Sequence, residues 1–278
     1  MKVGSTLVNL ISDGTYLVDG GAVFGQVPRS NWELQYKPDR KNRIRLGINS
    51  LLVQTQGLNV LVDTGAGSKQ LARFKDEYSL NGNKLLREIK KHGLTARDID
   101  IVVMTNLMFD QSGGCTKLDR AGEAVPTFPK AKYLVQRLAW EQAGNPNERA
   151  GGSYFKDDFI PLMDSGLLEL LDGDKEVAPG IRTKVTGGPT NGHQIVLVEI
   201  GSERIAYTGK LMPTQQHVDV VCISALDHDP NQTLDKKKDL VKMALSGGWL
   251  LLFGNSVETT GAYIEQRNGK TQLMPVQV

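Results

Sequence analysis

The sequence predicts a layered α/β fold. Short β-branched runs alternate with stretches of helical periodicity along the whole chain, no low-complexity linker divides it, and one strand–turn–strand pattern occurs twice. At 278 residues the chain is long enough to bury a sizeable core.

In chain order, the N-terminal stretch MKVGSTLVNLISDGTYLVDGG lacks the charged-then-apolar layout of a signal peptide, and no apolar run is long enough to span a bilayer. A cytoplasmic protein with no membrane partner is the expectation. Between Arg29 and Arg45 lie six basic residues against Glu33 and Asp39, with Trp32 and Tyr36 interleaved. Such a segment reads as a solvated loop, the alternative being a contact with nucleic acid or an anionic ligand, an acidic small molecule being the more specific version. Residues 50–65, SLLVQTQGLNVLVDTG, read as a hairpin around Gly57. An echo follows at residues 194–209, where QIVLVEIG and RIAYTG flank Gly201, and both copies run strand, glycine turn, strand, Thr-Gly. Residues 84–91 place Leu85, Leu86 and Ile89 at helical spacing, Gly93 stops them, and the apolar strand Ile99 to Met104 follows. Asp229-Pro230 is an N-cap with proline at the first helical position, opening a helix that ends at Gly247-Gly248. The all-apolar run Trp249 to Phe253 then predicts a strand buried on both faces.

Charge and cysteine usage exclude several classes. With 33 Lys+Arg against 31 Asp+Glu the net charge is +2, so no global field favours nucleic acid, and none is expected as a partner. Cys115 and Cys222 lie far apart without a CxxC pair, which argues against a disulfide framework and a thiolate zinc site. Val62 to Ala66 carries the Asp-Thr-Gly-Ala string of a retroviral-type aspartic protease, but that chemistry needs two carboxylates and the echo supplies Tyr207 in place of the second.

The strand ending in Thr105-Asn106-Leu107-Met108-Phe109-Asp110-Gln111-Ser112-Gly113-Gly114 resembles the signature of metallo-β-lactamase-fold hydrolases, in which a strand runs into T-H-x-H-x-D-H and then a small residue and Gly-Gly. Other landmarks fall in order: Val60 to Gly65, Thr186 to His193, Tyr207-Thr208-Gly209-Lys210, and Leu252 to Asn255. Asp19 to Arg29, with Trp32, is similar to the opening of the lactonase-like branch. The resemblance implies a four-layer αββα sandwich of the metallo-β-lactamase type, a single domain over residues 1–278 built from two αβ halves.

It also implies a site. The family holds two metals with five histidines and two aspartates, and those positions fall here on Asn106, Met108, Asp110, Gln111, Pro189, Lys210 and Asn255. Asp110 alone keeps a family ligand. Neutral amides are poor zinc ligands, a thioether suits softer ions, and an ammonium repels a dication. Of the four histidines, His193 falls beside the old site, while His92, His217 and His228 show no paired spacing. No metal and no other cofactor is therefore expected, with Asp63 as a loop brace rather than a ligand. The expected function is a non-hydrolytic pseudoenzyme binding a small molecule or a protein partner in the remnant pocket, the seven positions above being its candidate lining. The alternative is a metal-independent hydrolase with Asp110 as base or nucleophile and Lys210 as electrostatic stabiliser. The sequence leaves the oligomeric state open, a homodimer included.

Overall fold

A computed structural model describes residues 1–277. The chain opens with β1 (Lys2–Val3), β2 (Thr6–Asp19), β3 (Arg43–Thr55) and β4 (Leu58–Val62), all antiparallel neighbours, and continues into β5 (Ile101–Val103), which is parallel to β4. After the separate hairpin of β6 (Thr116–Leu118) and β7 (Ala124–Pro126), β8 (Lys132–Gln136) and β9 (Leu168–Leu171) complete a seven-stranded sheet in the order β1-β2-β3-β4-β5-β8-β9. The second sheet, also of seven strands, follows sequence order: β10 (Lys175–Ala178), β11 (Ile181–Val185), β12 (Gln194–Ile200), β13 (Glu203–Tyr207), β14 (Leu250–Leu252), β15 (Gly261–Arg267) and β16 (Lys270–Val276). The repeated hairpins are β3–β4 and β12–β13, and each is followed by a parallel partner, β5 beside β4 and β14 beside β13.

Side-chain alternation shows how the layers stack. In β4, Val60 and Val62 face one core with Val196, Val198, Ile205, Leu250 and Leu252 of the other sheet, so the two sheets pack face to face. Leu61 points the other way, into a core shared with Leu85 and Ile89 of the helix Leu85–Lys91 and Ala139 and Ala143 of the helix Arg137–Gly144. Leu251 likewise points outward onto Leu240 and Ala244 of the helix Pro230–Gly247. The result is helix, sheet, sheet, helix. Leu250 to Leu252 are fully buried because both faces of β14 are covered, as the apolar run predicts.

Local signals hold where the predicted chemistry is present. Asp229 caps Pro230–Gly247 by accepting from the backbone N–H groups of Asn231 and Gln232, and Gly248 ends it at φ 63°. The basic segment differs from a solvated loop. Residues Arg29–Trp32 form a helical turn, Arg43 to Arg45 begin β3, and Trp32 is only 1% exposed, packed against Phe24 with ring centroids 5.4 Å apart. Its ring lies so close to Gly20 that a β-carbon there would collide with it. Trp32 is a core residue, not a stacking platform.

The sheets are also joined by polar contacts at one end. Gly47 and Asn49 of β3 donate backbone N–H groups to Asn255 O and Gly254 O, each at 2.9 Å. The Asn49 side chain donates to Ser256 O at 2.8 Å, and the Tyr207 hydroxyl to Asn49 O at 2.7 Å.

Candidate functional site

The segments after β4, β5, β13 and β14 converge at the C-terminal ends of those strands, where open α/β sheets place their sites. Asp63 follows β4. Its carboxylate accepts from the Thr105 backbone N–H at 2.8 Å, from the Thr105 hydroxyl at 2.8 and 3.0 Å, and from the Tyr207 hydroxyl at 3.2 Å. It is a loop brace, as expected, with both oxygens already engaged and its backbone at φ 59°. Burial pushes its pKa up to about 7 against the pull of those donors. An aspartic-protease role has no free carboxylate here.

Thr64 then clamps the next element. Its backbone N–H and hydroxyl both donate to Gln111 O, at 2.7 and 2.9 Å, fixing the helical turn Phe109–Ser112. Gly113 and Gly114 pack against the carbonyls of Ala66 and Thr64 so closely that neither position has room for a β-carbon. The Gly-Gly of the motif thus presses the turn onto the Asp63 loop and aims Asp110 inward.

Asp110 is 2% exposed, and one of its oxygens takes every contact. The Lys210 ammonium donates to Oδ2 at 2.5 Å, the Tyr16 hydroxyl at 2.9 Å, the Gln111 amide at 3.1 Å and the Asn255 amide at 3.5 Å. Oδ1 has no hydrogen-bond partner among the described residues. Burial raises the Tyr16 pKa well above its usual value, and the neighbouring Asp110 charge adds to this, so Tyr16 remains a donor. Lys210 also lies 3.3 Å from Asn255 Oδ1, while the Asn255 amide donates to Gly47 O at 2.8 Å.

Lys210 is held from behind. Its backbone N–H donates to His193 Nε2 at 3.0 Å, and His193 Nδ1 lies 2.6 Å from the Thr186 hydroxyl. With Nε2 accepting, Nδ1 carries the proton and donates to Thr186. Burial, with Lys210 nearby, pushes the His193 pKa down to about 3, so its ring is neutral and serves as a scaffold.

Of the seven candidates, Asp110, Gln111, Lys210 and Asn255 form this one cluster. Asn106 does not join it: its side chain accepts from the Met108 N–H at 2.8 Å and donates to Thr105. Met108 and Pro189 instead line the cavity in front, about 410 Å³ in volume, together with Asp110, Lys210 and Asn255. Tyr16 was not singled out by sequence reasoning. It sits on β2, 94 residues before Asp110, and the only local signal is the alternation of that strand.

The two-metal centre implied by the resemblance does not fit these residues. Among the described residues no three His, Cys, Asp or Glu side chains gather where they could hold a metal ion. At the centre of the site an ammonium lies on the Asp110 carboxylate, where a cation would have to go.

Comparison with known proteins places this geometry in its family. Residues 43–254 match the model of the metallo-beta-lactamase superfamily, and the chain belongs to that superfamily. An N-acyl homoserine lactonase from Bacillus thuringiensis is 23% identical over 230 residues, covering 77% of this chain and 83% of the lactonase. A second, from a Bacillus species, is 26% identical over 162 residues, and the match spans only 56% of its length. The crystal structure of a probable metal-dependent hydrolase from Staphylococcus aureus superposes over 100% of this chain and 99% of its own, with a TM-score of 0.91 at 26% identity. The lactonase-like branch and the αββα sandwich expected from the sequence both stand.

Proposed function

We propose that the chain is a metal-free member of the superfamily that binds a small molecule in the remnant pocket without hydrolysing it. The observation that carries this reading is the Lys210 ammonium 2.5 Å from Asp110. The pair supplies internally the positive charge that a dication would bring, and it fills the place where a metal-activated water would form. The cavity beside it sets Val18, Leu46, Phe109, Pro213 and Leu226 against polar and charged residues such as Asp19, Arg149 and Asp227, and a concave pocket of that kind suits a small ligand better than a flat protein surface. Among the described residues no helix is long and apolar enough to cross a membrane. Both cysteines are free and buried, which supports a cytoplasmic location.

The purified protein is expected to carry no stoichiometric zinc, iron or manganese by elemental analysis. It is expected to show no zinc-stimulated turnover of lactones, thioesters, β-lactams or phosphodiesters. A metal ion that survives dialysis against a weak chelator, or activity that rises with zinc, defeats the reading. The unpartnered, buried Oδ1 of Asp110, a residue that lines the cavity, favours one alternative, a metal-independent hydrolase with that carboxylate as base or nucleophile. Chelator-insensitive turnover abolished by Asp110→Asn would select it.

A further inference from the structure

Behind Met108 and Pro189 lies a smaller annex of about 50 Å³, and both of these residues, with Arg149, Ser153 and Leu226, line it and the main cavity alike. That volume has room for about three or four water-sized groups. Its polar lining is made of donors. Arg149 spans it, donating to Ala225 O at 2.5 Å and Asp227 O at 2.9 Å, which leaves three of its five N–H groups unused. The Gln142 amide oxygen accepts from the Asn191 N–H at 2.7 Å and the Asn147 oxygen from the Ala150 N–H at 3.1 Å, so each amide keeps its NH₂ as the free end. His228 stands at the rim. The hydroxyl of Thr190, a residue 4% exposed, is buried in the annex wall without a hydrogen-bond partner among the described residues. None of the described residues lining the annex is an Asp or Glu.

An unpartnered buried hydroxyl is costly, and a guanidinium already pinned in place by two carbonyls loses little freedom on taking a planar anion. We propose that the annex is a carboxylate subsite, and that the ligand of the remnant pocket is an amphipathic carboxylic acid. Its carboxylate lies between Arg149 and the Thr190 hydroxyl, and its apolar body passes Met108 and Pro189 into the main cavity. This rests on the small-molecule reading given above and deepens it. The Asp110–Lys210 pair is neutral as a unit and does not compete for the carboxylate, whereas the Arg149 guanidinium donates to carbonyls and makes no ion pair among the described residues, with the Asp227 carboxylate an acidic neighbour on the cavity wall.

The test is calorimetric titration of the full chain with decanoate, methyl decanoate and decyl phosphate at neutral pH. Decanoate is expected to bind at least about tenfold more tightly than its ester, because the ester cannot offer a charged acceptor. Arg149→Gln should lose roughly thirtyfold in decanoate affinity. Thr190→Val should lose about fivefold while leaving the urea midpoint of the free protein unchanged or higher, since the hydroxyl bonds nothing among the described residues. The inference is overturned by equal affinity for acid and ester, by full affinity in Thr190→Val, by tighter binding of decyl phosphate, or by no binding of any of the three. Metal content and turnover are measured separately, so a chain that held zinc yet still preferred decanoate would defeat the metal-free reading and leave the subsite standing.

Discussion

Cutting the contact between Lys210 and Asp110 should reveal how strongly each charge depends on the other. At 2.5 Å and an effective dielectric near 20, the pair attracts by roughly 6 to 7 kcal/mol before desolvation is subtracted. Both groups are largely out of water, with side-chain exposures of 15% for Lys210 and 1% for Asp110, so the net value of the pair is much smaller. Removing one partner is another matter. Lys210→Met keeps the aliphatic stem and strands a carboxylate with only the neutral donors of Tyr16, Gln111 and Asn255, and should destabilise by about 3 kcal/mol. Asp110→Asn strands the more exposed partner, and Lys210 retains Asn255 Oδ1 at 3.3 Å, so about 2 kcal/mol is expected. The double variant leaves no orphan charge and should cost about 2 to 3 kcal/mol, well short of the roughly 5 of the two singles combined. Urea midpoints and slopes of the four proteins decide it. If the single costs add within about 0.5 kcal/mol, the two side chains are energetically independent and the charge-substitution argument fails.

Three further outcomes follow from the surrounding framework. Asp63→Ala should destabilise by about 3 kcal/mol by orphaning the Thr105 backbone N–H and hydroxyl at a positive φ, while Tyr207 keeps Asn49 O as its acceptor; Asp63→Asn should cost about 1 kcal/mol, because asparagine keeps an acceptor and tolerates that backbone. Since the fold raises Asp63 from 3.8 to about 7, its stabilising contribution is full below about 3.8 and lost by the time pH has climbed through 7; the advantage of the wild type over the Asp63→Asn variant should shrink between about pH 4 and 7 and level off above, and a constant gap in denaturant titrations would count against the assignment. His217, buried on Phe24 with its ring between Thr214 and Val23 O, is driven from 6.5 down to about 3 by burial, with Lys237 adding to the effect. Its contribution is therefore present above 6.5 and lost as pH falls, so the wild type should lose up to about 1.4 kcal/mol per pH unit relative to His217→Gln between pH 6.5 and about 3, and parallel stability curves would refute it. Lys69, whose ammonium reaches Gly113 O at 2.6 Å, Thr116 O at 2.8 Å and Asp158 at 3.0 Å, should cost about 4 kcal/mol as Lys69→Met, with part of that recovered by adding Asp158→Asn; thermal melts showing no recovery would mean the carbonyl contacts alone matter.

Much of the architecture could be read from the chain because its signals are local. The hairpins reveal themselves through alternation and a glycine turn, the long helix through Asp229-Pro230 and Gly248, and β14 through an unbroken apolar run. The helix at 84–91 begins one residue later than predicted, and the strand at 99–104 is shorter at both ends. The Lys210–Asp110 pair was also legible, because the motif frame assigns both positions to one site. What stayed hidden depends on the chain crossing itself. No pattern around Tyr16 announces that its hydroxyl meets Asp110, and Trp32 looks like part of a basic loop until Gly20 and Phe24 are seen to enclose it. The annex joins residues 142–154 to residues 189–190 and 226–228, and its defining property, a hydroxyl with nothing to bond, can be seen only in three dimensions.

The bonds that join Gly47 and Asn49 to the segment Gly254–Ser256, with Tyr207 reaching Asn49 from β13, bind the rim of the site to the frame of the molecule rather than to anything held within it. A bowl whose walls stand unaided can have its floor rebuilt piece by piece. Exchanges of a donor for an amide, or of an acid for a base, alter what the bowl can hold without asking the walls to move. In chains built this way, ancestry is written in the walls and present occupation in the floor, and the two can be separated by a handful of codons.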